Sequence, residues 1–101
     1  MPRDLHPTEG ARYLLEREGP GDGATARYAA TIYTPDAAFP AAAMLGDDGS
    51  AELAPTGAGP AAPDELHARL VAIARLVARD AARLRSDGLP PWPQRILRWR
   101  R

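Results

Sequence analysis

A chain of 101 residues with zero formal net charge and no cysteine is long enough for one domain with a single modest core, and it excludes a disulfide scaffold and a thiolate metal site. Its 21 alanines, 13 arginines, 11 prolines and nine glycines, with no lysine or asparagine, read as the imprint of a GC-rich bacterial coding sequence, so arginine abundance alone says little about ligands. Leu, Ile, Val and Phe total 17 residues, under the roughly 20% where disorder becomes a concern, but the zero net charge removes the self-repulsion that keeps disordered chains open.

The charge is divided along the chain. Residues 1–63 hold four arginines and nine acids, a net of −5, and residues 64–101 hold nine arginines and four acids, a net of +5. An acidic sheet lying against an arginine-bearing helix is self-complementary, so this asymmetry does not by itself require a partner. No stretch reaches the roughly 18 apolar residues of a membrane span, and the opening MPRDLHPTEG lacks the apolar core of a secretory signal. The cytoplasm is the expected compartment, and no membrane partner is expected.

Residues 1–10 are polar, carry two prolines, and are expected to be a disordered arm ahead of a single domain spanning 11–101. In residues 11–18 Tyr13 and Leu15 alternate with Arg12, Leu14 and Glu16 as in a strand, although Thr8 and Glu9 also allow a short helix to start. The next residues favour the strand: a glycine-rich turn over 19–24, then TARYAATIYT, whose β-branched and aromatic residues alternate. Phe39 to Leu45 runs apolar, residues 46–49 (GDDG) form a turn, and Ser50 to Leu53 returns as a hairpin. Alanines 41–43 count against that hairpin, because alanine prefers helix. Residues 54–63, APTGAGPAAP, hold neither helix nor strand and read as a linker.

Residues 64–88 are the one long periodic segment. Leu66, Leu70, Ile73, Val77, Ala81 and Leu84 recur at helical spacing on one stripe, with Arg75, Arg79 and Arg83 opposite and Glu65–Arg69 placed as an i, i+4 pair. Pro63 suits the first turn, and Gly88 with Pro90 stops the helix. Leu76 is a misfit, projecting away from the stripe, and is a candidate for self-association. In the arginine- and tryptophan-rich segment 89–101, Arg95, Leu97 and Trp99 alternate with Ile96, Arg98 and Arg100 as a candidate short fifth strand.

Little in this inventory does chemistry. His6 lies in the arm and His67 at the edge of the stripe, neither with companion ligands, and residues 47–52 lack the spacing of a calcium loop. Gly19, Gly21 and Gly23 lead into a strand instead of a helix N-terminus, with Asp22 among them, so they read as a turn and not a phosphate cradle. Ser50 and Ser86 have no histidine near in sequence, and lysine and cysteine are missing altogether, so no catalytic residue, metal site or cofactor is expected.

The C-terminal segment carries the main functional candidates: Trp92, Arg95, Arg98, Trp99, Arg100 and Arg101. Arginines interleaved with aromatic rings suit single-stranded nucleic acid, charge for phosphate and rings for bases. The competing reading has Trp92, Ile96, Leu97 and Trp99 folding back over the core. It is favoured, since a chain this poor in large apolar residues has few others to fill a core. Pro90-x-x-Pro93-x-Arg95 also fits a proline-motif ligand, a pattern that arises often by chance in such compositions.

The expected architecture is α+β: a small antiparallel meander of about four strands packed on one long C-terminal helix, with a short fifth strand at the end. The expected role is a non-enzymatic protein-interaction or accessory module, with a protein partner or a second copy of the chain. The alternative is a nucleic-acid-binding module working through the C-terminal segment, and the third reading is a small enzyme or ligand-binding protein.

Overall fold

The computed structural model describes residues 5–57 and 59–101. Five strands, β1 (Ala11–Glu18), β2 (Thr25–Tyr33), β3 (Ala38–Gly46), β4 (Ala51–Pro55) and β5 (Arg95–Arg100), form one antiparallel sheet, and helix α1 (Asp64–Ser86) connects β4 to β5. The fold is the expected α+β meander under one helix, with the fifth strand present. The expected linker 54–63 is corrected at its start, where Ala54 and Pro55 extend β4 by pairing with Ala42 and Ala41. The spatial order β4-β3-β2-β1-β5 places β5 outside β1, so α1 carries the chain from one edge of the sheet to the other. No helix among the described residues is long and apolar enough to cross a membrane.

Alternation along each strand decides which side chains meet the helix. Tyr13, Leu15, Tyr28, Ile32 and Leu45 are fully buried on that face. The helix answers with Leu70, Ile73, Ala74, Ala78 and Ala81. The contact is centred on small residues, and Leu66, Val77 and Leu84 of the expected stripe are only half-buried. Large tyrosines and leucines standing up from the sheet fill the space that alanines on the helix leave open, and this brings the two layers close.

The ends of α1 are built from backbone conformation. Pro63 is the N-cap and not a first-turn residue, with Asp64 and Glu65 at the positive end of the helix dipole. At the other end Gly88, with φ +75°, lets its own amide reach the Arg85 carbonyl at 3.1 Å and the Leu89 amide reach that of Leu84 at 2.9 Å, a Schellman closure. The GDDG turn closes as expected. Asp48 Oδ1 accepts from the Ser50 hydroxyl at 2.6 Å and the Ser50 amide at 3.0 Å, and these bonds hold its carboxyl below the usual value.

Of the arm 1–10 expected to be disordered, residues 1–4 lie outside the described residues. Residues 5–10 are seated against the sheet. The His6 Nδ1 donates to the Thr34 carbonyl at 2.6 Å and the ring meets Tyr33 edge-on at 5.3 Å, Pro7 is buried, and the Arg12 guanidinium donates to the Leu5 carbonyl.

Candidate functional site

Strand β5 and the residues leading into it divide the six candidate side chains among three places. Trp92, only 1% exposed, belongs to the core. Its indole N–H donates to the Gly23 carbonyl at 2.8 Å, and its own carbonyl accepts from Arg17 Nη1 at 2.7 Å. Tyr28 donates its hydroxyl to the Pro93 carbonyl at 2.6 Å, and burial pushes that hydroxyl up to about 12, opposed by the nearby Arg17 charge. Arg85 draws the same glycine-rich loop inward, donating to Gly23 O at 2.6 Å and pairing with Asp47 at 3.4 Å. The loop therefore turns its Gly23 carbonyl toward its neighbours, and it leads into β2 as the turn reading expected.

Beyond Pro93 the pleat separates the rest. Arg95, Leu97 and Trp99 point to the sheet face opposite α1, while Ile96, Arg98 and Arg100 point to the helix side. The expectation that Leu97 and Trp99 join Trp92 and Ile96 over the core is corrected. Trp99 is 43% and Leu97 36% exposed, whereas Ile96 is buried. Ile96 pairs with Leu15 on the helix side, so its neighbours one residue on must face away.

The open face can be read row by row from the register. Leu97 stands beside Leu14, Thr31 and Pro40; Arg95 beside Glu16, Ala29, Ala42 and Ala54; Trp99 beside Arg12, Tyr33 and Ala38; and Glu18 beside Arg27, Met44 and Glu52. The strands thus contribute Arg12, Arg27 and Arg95 against Glu16, Glu18 and Glu52, so the face carries no net charge. A shallow hollow of about 510 Å³ lies over Arg27, Ala42, Met44 and Glu52. At the opposite corner Trp99 donates its indole N–H to the Glu9 carbonyl at 3.0 Å, and Arg101, paired with Glu9 at 3.0 Å, lies over the ring at 5.6 Å.

Arg98 and Arg100 reach the helix side, where they flank a groove between β5 and α1. Its walls are Arg69, Ala72, Ile73, Leu76, Val77 and Asp80, and it holds two adjoining hollows of about 190 Å³ each. Leu76, singled out by its position on the helix wheel, is 54% exposed in this groove. The structure therefore brings Leu76 together with Arg98 and Arg100, pairs Trp99 with Arg101, and keeps Trp92 apart from both. Met44 and Tyr33 of the open face carry no local sequence signal, because only strand order and register place them on the same face as Leu97 and Trp99.

Among the described residues no three or more His, Asp or Glu side chains converge as metal ligands. His67 is half-buried at the edge of the helix contact. Comparison with protein-family models, curated proteins and solved structures finds no match to this chain.

Proposed function

We propose that this protein is a non-enzymatic interaction module that pairs with a second copy of itself through the open face of its sheet. One observation carries the reading: Met44, Leu97 and Trp99, three of the five large apolar side chains exposed among the described residues, stand on the one sheet face that no helix covers. Exposed apolar surface collected on one face marks a contact surface in a way that scattered single residues do not.

The charge layout supports a second copy as the occupant. Along β1 the open side reads Arg12, Leu14, Glu16, Glu18, and two sheets stacked antiparallel about the middle of β1 set Arg12 of each copy over Glu18 of the other. A face with balanced arginines and glutamates suits its own copy better than a polyanion, which gains from net positive charge. Five strands span about 24 Å and seven residues of strand about 23 Å, so the pair covers about 1,100 Å², the low end for a specific interface.

Edge-to-edge assembly is less favoured. Strand β4 is short and ends in Pro55, and β5 lines its edge with arginines, both of which are devices that blunt sheet edges. Light scattering tests the reading: the mass should approach twice 10.8 kDa at high concentration and fall on dilution. Met44→Glu, on the open face in the row of Arg27 and Glu18, should hold the chain as a monomer without lowering its melting temperature. A native protein that stays monomeric at every concentration would overturn the proposal.

A further inference from the structure

The free edge of β5 and the groove beneath it form a surface separate from the open face. The Arg17 amide donates to the Gln94 carbonyl at 2.8 Å, extending the β1–β5 ladder one step beyond the strand. In an antiparallel pair, residues that exchange both main-chain bonds alternate with residues that exchange none. Ile96, Arg98 and Arg100 therefore turn their main-chain groups toward β1, and Arg95, Leu97 and Trp99 turn theirs outward, where the sheet has no further strand among the described residues.

Two of those outward carbonyls are occupied by side chains from the same strand. Arg98 Nη1 donates to the Leu97 carbonyl and Arg100 Nη1 to the Trp99 carbonyl, each at 3.0 Å. Among the described residues neither arginine forms an ion pair, whereas Arg69, Arg83, Arg85 and Arg101 all do. A carbonyl dipole is a weaker partner for a guanidinium than a carboxylate, which accepts two parallel bonds. Beside these arginines Leu76 lies exposed over Ile73 and Val77, and the one acid of the groove, Asp80, is 3.4 Å from Arg83.

We propose that β5 accepts an added strand from a partner: an extended peptide in which acidic and apolar side chains alternate. Its main chain pairs with the outward groups of Arg95, Leu97 and Trp99, as in other strand-addition complexes. Its acidic side chains, on the helix side by the pleat, take Arg98 and Arg100 off their carbonyls and lay their methylenes over Leu76. Its apolar side chains fall on the other side, beside Leu97 and Trp99. A second β5 does not fit this edge, because it sets arginines against arginines. A nucleic-acid strand has no amide ladder to complement the outward N–H and C=O groups. The proposal goes beyond self-association, since the edge is open in monomer and dimer alike.

The test titrates the full chain into a labelled heptapeptide of alternating Glu and Val and reads fluorescence anisotropy at low salt. A Gln-for-Glu peptide, a peptide N-methylated at alternate residues and a single-stranded oligothymidylate are run beside it. The acidic peptide should bind saturably and slow hydrogen exchange at the Leu97 and Trp99 amides. Arg98→Ala and Arg100→Ala, both at exposed side chains, should each weaken it about tenfold, and the Gln and N-methylated peptides should lose most of the binding. The Met44→Glu variant should bind as the native chain does, so failure of the dimer leaves this result readable. No binding by the acidic peptide, equal binding by the N-methylated one, unchanged exchange at both amides, or binding by the oligonucleotide alone would each overturn the proposal.

Discussion

Trp92 and Trp99 belong to one arginine-rich segment, yet the first is sealed beneath the 19–24 loop and the second stands 43% exposed on the face that α1 does not cover. The two faces of the sheet differ in the same way. On the covered face the strands contribute tyrosines, leucines and isoleucine that meet the alanines of the helix. On the open face they contribute alternating charges, alanines and three exposed apolar side chains. Hydrophobicity alone therefore does not assign a side chain to the core in a two-layer domain. The parity of its position in the strand matters as well, because α1 covers only one side. Leu14, 5% exposed on the other side, is the exception, in the row next to the one against which residues 5–10 are seated.

The hardest strain on this contrast is a charge placed within the covered face. Ile73→Asp leaves an unpaired carboxylate between helix and sheet and should cost about 4 kcal/mol or more, enough to unfold a domain of this size. Arg79→Asp, on the exposed side of the same helix, should change stability by about 0.5 kcal/mol or less. Thermal melts of the two variants that coincide would mean the helix is not docked as described.

The tryptophans give the next largest contrast. Trp92→Ala should cost about 3–5 kcal/mol, as aromatic truncations in cores do. Trp99→Ala gives up one exposed hydrogen bond and the Arg101 contact, and should cost about 1 kcal/mol. Fluorescence separates the two rings further. With Trp99→Phe the remaining native emission should be blue-shifted and move red on unfolding, and with Trp92→Phe it should already sit close to the solvent position. The opposite assignment of the two spectra would reverse the two faces.

Tyr28 probes the same seal more gently. Tyr28→Phe deletes the bond to the Pro93 carbonyl and should cost about 1–2 kcal/mol. The folded protein holds the Tyr28 proton more tightly than the unfolded chain does, the value rising from 10.0 to about 12 mainly through burial. Its contribution is therefore complete below pH 10 and is lost as pH rises toward 12. Denaturant midpoints measured from pH 8 upward should fall in the native chain across that window and fall less in Tyr28→Phe. Parallel curves would show that this hydroxyl is not buried on folding.

Much of the fold is legible in the sequence because its signals are local. Alternation in TARYAATIYT, the Asp-Gly turn, and helical spacing from Leu66 to Leu84 each rest on residues within a few positions of one another. The bounds of β2, β3 and α1 lie within a residue or two of that reading. The exposed position of Leu76 is legible for the same reason, since angle on a helix wheel follows from spacing alone. The fates of Leu97 and Trp99 are not. Their alternation with Ile96 and Arg98 is visible, but not which of the two sets faces the helix.

The secondary elements, the α+β architecture and the side on which the helix docks follow from the amino-acid order, because backbone propensity, turn chemistry and amphipathic period act over short range. The docked stripe nonetheless runs through Ala74 and Ala78 and leaves Leu66, Val77 and Leu84 half-buried. It took the folded arrangement to settle that β5 adds to β1 instead of β4, that Trp92 is core and Trp99 is surface, and that Leu76 shares a groove with Arg98 and Arg100. These are consequences of strand order and register. They bring together residues 90 positions apart, as Glu9 and Trp99 are, and strand pairing across such separations is selected by how the whole core packs and not by any one segment's own preference.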